Sequence, residues 1–118
     1  MEIILRIEGK EKIFTQEFVP MKIHRKALEV EKYARSEEMD EVELLDRREN
    51  LLVEIFDKQF TKDQLEDGLN VINHDKVFYD IIGVGVLGYA PIEEKEDMGK
   101  FIKELQENVS QSMNESNK

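Results

Sequence analysis

Cysteine and tryptophan are both missing from this 118-residue chain, and there are only two prolines and two histidines. Without cysteine there is no disulfide, no thiolate metal site and no thiol nucleophile, a composition that suits a reducing compartment. The two histidines, His24 and His74, are far apart, and no HxH, HxxH or HExxH spacing occurs. A metal site would therefore have to be completed by carboxylates. Long apolar runs are also missing. The richest region, Ile81 to Ala90, is interrupted by three glycines and falls short of the roughly 18 residues that a membrane helix needs. Met1 to Arg6 does not have the basic leader and apolar stretch of a signal peptide, so the expectation is a soluble protein that stays in the cytoplasm. Positive charge is scarce, with 17 Lys and Arg against 27 Asp and Glu and a formal net charge of −10. That balance argues against nucleic acid, whose binders neutralise phosphates with Lys and Arg, and against an anionic membrane surface. One basic cluster stands out: Lys22, His24, Arg25 and Lys26, followed by Lys32 and Arg35. It reads as a solvated helix face, with a site for an acidic partner as the alternative.

Hydrophobic residues make up 40% of the chain and charged residues 37%, which suits one domain with a modest core and a large solvated surface. Ile3, Leu5 and Ile7 alternate with polar residues, Gly9-Lys10 offers a two-residue turn, and Ile13, Phe14, Thr15 and Phe18 resume a β-prone run. This predicts a hairpin over about 2–8 and 11–18. After Pro20 the apolar spacing becomes helical at Ile23, Ala27, Val30 and Ala34. The acidic stretch at 37–41 suits the start of a second helix, predicted over about 40–59 with Leu44, Leu45, Leu51, Leu52, Ile55 and Phe56 as its stripe. Thr61-Lys62-Asp63-Gln64 matches a capping box opening a short helix to Gly68, where the glycine is expected to supply a left-handed residue. A last helix, capped by Asn73 or Asp75, carries Val77, Phe78, Ile81 and Ile82 and ends at Gly88, Tyr89 and Pro91. The fold class expected is α+β and mostly helical: an N-terminal β-hairpin, a bundle of about four helices and a polar C-terminal tail. The domain boundary is placed at 1–92 for the globular part and 93–118 for the tail, helical to about Val109 with Met98, Phe101, Ile102 and Leu105 on a weak apolar face, then disordered.

Several patterns touch on chemistry. Gly83-Val84-Gly85-Val86-Leu87-Gly88 fits the GxGxxG fingerprint, but dinucleotide binding requires a strand before the glycines and a helix after them. Here a helical pattern precedes and Tyr-Ala-Pro follows, so close backbone packing is the better reading. His24 is expected on an exposed helix face and His74 at a helix start. The pairs Glu37/Glu38 and Glu93/Glu94 lie in the most polar stretches, where acid–base work is not expected. No GxSxG, P-loop or EF-hand pattern is present. The expectation is a protein that is not an enzyme, with no catalytic, cofactor-binding or metal-ligating residue and no cofactor. What remains is apolar surface. Leu44, Leu51, Leu52, Ile55 and Phe56, with Phe101 from the tail, are the candidate partner-binding residues, against the alternative that the stripe is simply core. Phe60, Phe78 and Tyr79 add aromatic mass that serves as core or as an anchor.

The opening Met1-Glu2-Ile3-Ile4-Leu5-Arg6-Ile7-Glu8-Gly9-Lys10-Glu11-Lys12-Ile13-Phe14-Thr15, then Phe18-Val19-Pro20, and the later run Phe60-Thr61-Lys62-Asp63-Gln64-Leu65-Glu66-Asp67-Gly68-Leu69 resemble tail assembly chaperones of long-tailed phages of Gram-positive bacteria. The resemblance covers the whole chain, but its motifs encode a fold and carry over no binding residue. It implies a helper of virion assembly, in an infecting phage or a prophage. Such a protein binds the tape measure protein, with the major tail tube protein as a further partner, and acts in the host cytoplasm without entering the mature virion. It also implies a short form whose polar tail is where a frameshifted longer form would begin. Two other classes fit the same composition: a minor virion or head–tail completion protein, and an acidic regulator that mimics nucleic acid. A hairpin with a free edge and a broad helical stripe would support self-association into a homo-oligomer, as a dimer, a ring or a spiral, and the oligomeric state is left open.

Overall fold

Alternation along the first strands decides which of their side chains enter the core. The computed structural model describes residues 1–91, and it opens with β1 (Glu2–Ile7) paired antiparallel to β2 (Lys10–Thr15). The register sets Ile3 opposite Phe14 on the inner face and Ile4 opposite Ile13 on the outer face. Glu8 and Gly9 form the turn, with φ of 52° and 79°. Two positive values suit the right-handed twist of a hairpin. The turn therefore lies one residue earlier than the sequence suggested. The second strand also stops at Thr15, short of the expected Phe18. Its last ladder bond runs from the Gln16 N–H to the Met1 carbonyl, beyond which β2 has no strand partner among the described residues. Phe18 is left exposed.

Helix α1 (Met21–Ala34) starts at Pro20 and buries Ile23, Ala27 and Val30. Helix α2 (Glu41–Ile55) is capped by Asp40, whose carboxylate accepts the Glu43 N–H at 3.0 Å, and Glu41 and Glu43 in its first turn suit the helix dipole. A clasp joins the two helices. Tyr33 donates its hydroxyl hydrogen to Glu43 at 2.7 Å, and the Arg47 guanidinium lies 4.0 Å from the Tyr33 ring centre. These contacts lower the Glu43 pKa, first through the Tyr33 bond and then through Arg47. Helix α2 ends at Ile55, earlier than the expected 59. Asp57 and Lys58 both take left-handed backbone, with φ of 53° and 59°, and redirect the chain so that Phe60 turns inward. Phe60 meets Phe14 edge-on at 5.1 Å and Phe56 at 5.6 Å.

Helix α3 (Lys62–Gly68) begins with the predicted capping box, with the Thr61 side chain on the Gln64 N–H and the Gln64 side chain on the Thr61 N–H. Gly68 does not play its expected part. It remains helical, and its importance is proximity: a Cβ there would stand 2.7 Å from the Arg6 carbonyl oxygen. The missing side chain lets α3 lie directly on β1. Helix α4 (His74–Phe78) runs without a break into a π-helix, Tyr79–Val86, whose wider turn shows in the bond from the Leu87 N–H to the Ile82 carbonyl five residues back, at 2.9 Å.

The architecture is thus a β-hairpin followed by four helical segments, mostly helical α+β as expected. Helix α1 packs on α2 and on the π-helix, and α3 packs on β1 and α2. The core takes Ile3, Leu5 and Phe14 from the hairpin, Ile23 and Ala27 from α1, Leu51, Leu52 and Ile55 from α2, then Phe56, Phe60, Leu65, Phe78, Ile81 and Ile82. No described helix is long and apolar enough to cross a membrane. The helix expected to about Val109, the terminal stretch from Ser110 and the pair Glu93/Glu94 lie outside the described residues.

Candidate functional site

The widening of the last helix has a consequence on the surface. In the π-helix Gly83 faces two aromatic rings, and a Cβ there would come within 3.0–3.1 Å of Tyr79 and Tyr89. Glycine lets both rings lie against the helix backbone, with their centres 6.2 Å apart and tilted by 31°. Gly88, at φ 76°, reverses the chain after the helix. The Tyr89 N–H returns to the Gly83 carbonyl at 2.8 Å, and the Tyr79 hydroxyl donates to the Ala90 carbonyl at 2.6 Å. The expected close packing against another backbone is not what these glycines do: Gly83 makes room for two aromatic rings, and Gly88, with nothing near its Cβ position, serves the turn. A Gly83 side chain would close the space the tyrosines occupy.

Beside these rings opens a cleft of about 340 Å³. Its apolar walls include Phe78, Ile82 and Leu87, with Tyr79 and Tyr89 alongside. Its polar rim includes Arg48 and Glu31, joined by two bonds, from Nε at 3.2 Å and Nη2 at 2.9 Å. A planar fork on both carboxylate oxygens fixes that side chain firmly. The arrangement, aromatic and aliphatic walls under a charged rim, is that of a socket for an apolar side chain. Further exposed apolar residues lie elsewhere: Ile4 and Ile13 on the outer hairpin face, Val71 across a groove from Ile4, and Phe18 with Met21 before α1.

The structure separates the candidate partner-binding residues. Leu51, Leu52, Ile55 and Phe56 are interior, each no more than 2% exposed. In this conformation they present nothing to a partner. Leu44 is half-buried against the core, and Phe101 lies outside the described residues. Leu45 and Val42, farther round α2, are exposed instead. Phe60 and Phe78 are core residues, and Tyr79 borders the cleft. The residues at the cleft, Tyr89 and Leu87 above all, were read from sequence only as a helix end and a spacer.

The basic cluster does not act as a unit. Lys26 pairs with Glu54 at 2.7 Å across to α2, while Lys22, Arg25, Lys32 and Arg35 are exposed. His24 was expected on the exposed face, but it is half-buried and its Nδ1 lies 3.0 Å from the Val86 carbonyl, tying α1 to the π-helix. The reason is the crossing of those two helices, which one helix's periodicity cannot reveal. His74 opens α4 as expected.

A carboxylate group missed by the sequence reading lies on the far side of α2. Glu49 is 4% exposed, and its Oε1 has no hydrogen-bond partner among the described residues. One oxygen each of Asp46, Glu49 and Glu66 lie within 4.8 Å of one another. Burial first, then the neighbouring Glu66, pushes the Glu49 pKa up to about 7. Lys62 donates to Asp46 at 2.7 Å, a contact that raises the lysine's pKa. Helical spacing of three residues aligns Asp46 with Glu49, but Glu66 arrives from α3, so the trio is not visible in a linear reading.

Residues 1–103 match the family model described as phage tail chaperone protein. No curated protein and no solved structure matches this chain.

Proposed function

The chain belongs to the phage tail chaperone family, and we propose that within it this molecule binds the tape measure protein of a long-tailed phage of a Gram-positive host. In this reading it keeps apolar helical segments of that protein in solution while the tail tube assembles around them. It works in the host cytoplasm by contact rather than catalysis and leaves before the particle is complete. The observation that carries the reading is the family match across residues 1–103. The cleft bordered by Tyr79 and Tyr89 supports a mechanism for it.

An amphipathic client helix presents large apolar side chains on one face, spaced by three or four residues. Each square ångström of such surface taken from water contributes roughly 25 cal/mol. A socket of about 340 Å³ suits one anchor side chain, with tyrosine supplying contact area at little entropic cost. The surplus of negative charge, −10 over the whole chain, then keeps chaperone–client complexes apart.

The test is co-expression of the full chain with the tape measure protein from the same phage. The expected result is a soluble complex containing both, from a client that is insoluble alone, and mass spectrometry of purified particles that finds no chaperone. A client equally soluble alone, or the chain present in particles in stoichiometric amount, contradicts the proposal.

A further inference from the structure

Glu49 holds a carboxylate in the interior, and one of its two oxygens, Oε1, meets no hydrogen-bond donor among the described residues. The residue is 4% exposed. An anion taken out of water without compensation is among the costliest arrangements in a fold. Its nearest acidic neighbours, Asp46 on its own helix and Glu66 on α3, make matters worse as long as all three carry charge. Lys62 is the basic group described beside them, and its ammonium is engaged by Asp46 at 2.7 Å.

We propose that Asp46, Glu49 and Glu66 together bind a divalent cation of calcium size, clipping α2 to α3. Three features support the assignment. First, the ligand atoms converge: one oxygen from each residue lies within 4.8 Å of the others. That separation is compatible with calcium, whose oxygens at ~2.4 Å span up to ~4.8 Å across the ion and whose coordination tolerates an irregular carboxylate set, while magnesium demands a near-ideal octahedron. Second, the donor set is all oxygen, which suits hard cations and not zinc, since neither imidazole nor thiolate is at hand. Third, the site is open on one side and closed on the other. Asp46 keeps half its side chain exposed and Glu66 is exposed, leaving room for waters to complete the coordination shell. Glu49 forms the dry floor with its unpartnered oxygen. The cation would take one Glu49 oxygen, offset the buried charge and join two helices from different parts of the chain. The rival occupant is a proton shared between Glu49 and Glu66.

This inference does not depend on the client-binding reading, and its test needs no client. Calorimetric titration of the full chain with CaCl2 at neutral pH is expected to show saturable binding of one ion. With CaCl2 at about 5 mM, the melting temperature should rise by roughly 5 °C. D46N/E66Q, both at accessible positions, should fold and lose the response. E49Q keeps the side-chain shape and should weaken binding by about tenfold or more. E37Q/E38Q removes equal charge from an exposed stretch and should respond as the wild type does, separating a site from screening of a −10 chain. No saturable heat with either CaCl2 or MnCl2 overturns the proposal in favour of the shared proton. So does a D46N/E66Q protein that responds like the wild type. Tighter binding of MgCl2 than of CaCl2 overturns the size assignment.

Discussion

The inner face of α2 and the π-helix with its following tyrosine are both rich in apolar residues, yet they serve opposite ends. Leu51, Leu52, Ile55 and Phe56 are covered on every side, while Tyr89 stays 44% exposed and Leu87 remains half-buried beside an open cleft. The difference lies in what stands opposite. Helix α2 is met by α1 and α3, and the Phe14–Phe60 contact closes the core below them. The π-helix is backed by α1, and the side carrying Tyr79 and Tyr89 forms the cleft wall. Apolar density therefore identifies a surface that wants covering, and tertiary placement decides whether the chain itself or a partner covers it.

Leu52→Asp is the harshest way to break that comparison. A charge at a 0% exposed position is expected to cost more than ~4 kcal/mol, most of a small domain's stability. Circular dichroism should show the helices lost. A variant that keeps its helices and loses only the client would move the binding face back to α2.

Gly68→Ala should follow. With a methyl group 2.7 Å from the Arg6 carbonyl, β1 and α3 have to separate, at a cost of about 1–3 kcal/mol. Denaturant titration measures it, and hydrogen exchange should show the hairpin opening first.

Glu49 sharpens the contrast from inside the covered region. In chelator, its pKa of about 7 lies above its ordinary 4.5, so the folded chain binds a proton that the unfolded chain releases. That contribution is complete below about 4.5 and is lost as pH rises through about 7. The wild type should therefore be less stable at pH ~8 than at pH ~5.5, and Glu49→Gln should remove much of the slope and gain about 1–2 kcal/mol at the higher pH. Thermal melts across that range provide the check. A wild-type slope retained in Glu49→Gln would place the titrating group elsewhere.

Tyr89→Ala should have the smallest effect on folding, within about 1 kcal/mol, because the ring is partly exposed. Client affinity, by contrast, should fall by about tenfold or more if the ring is an anchor. Equal losses in both would make Tyr89 structural.

Much of the fold was legible because it is encoded locally. The Ile3/Leu5 alternation, the Thr61–Gln64 capping box and the spacing of Ile23, Ala27 and Val30 each act within a few residues, and each appears as expected. The errors occur where distant segments meet. Nothing near Gly68 announces the Arg6 carbonyl, and nothing near His24 announces Val86. Asp57 and Lys58 adopt left-handed backbone without the usual glycine, so the end of α2 carries no signal. The candidate binding face failed to emerge for the same reason. A stripe of leucines is the strongest apolar signal in a sequence, and it is the feature a folded chain is most apt to bury itself. Tyr79 and Tyr89, separated by glycines, become a wall only after Gly83 allows both rings to settle.

The most direct measurement is hydrogen–deuterium exchange of the full chain with and without the tape measure protein. The account predicts added protection over residues 74–91, around the tyrosine cleft, with little change in the already buried part of α2. Protection that leaves 74–91 untouched, or a client that opens α2 and exposes Leu51 and Leu52, would contradict it.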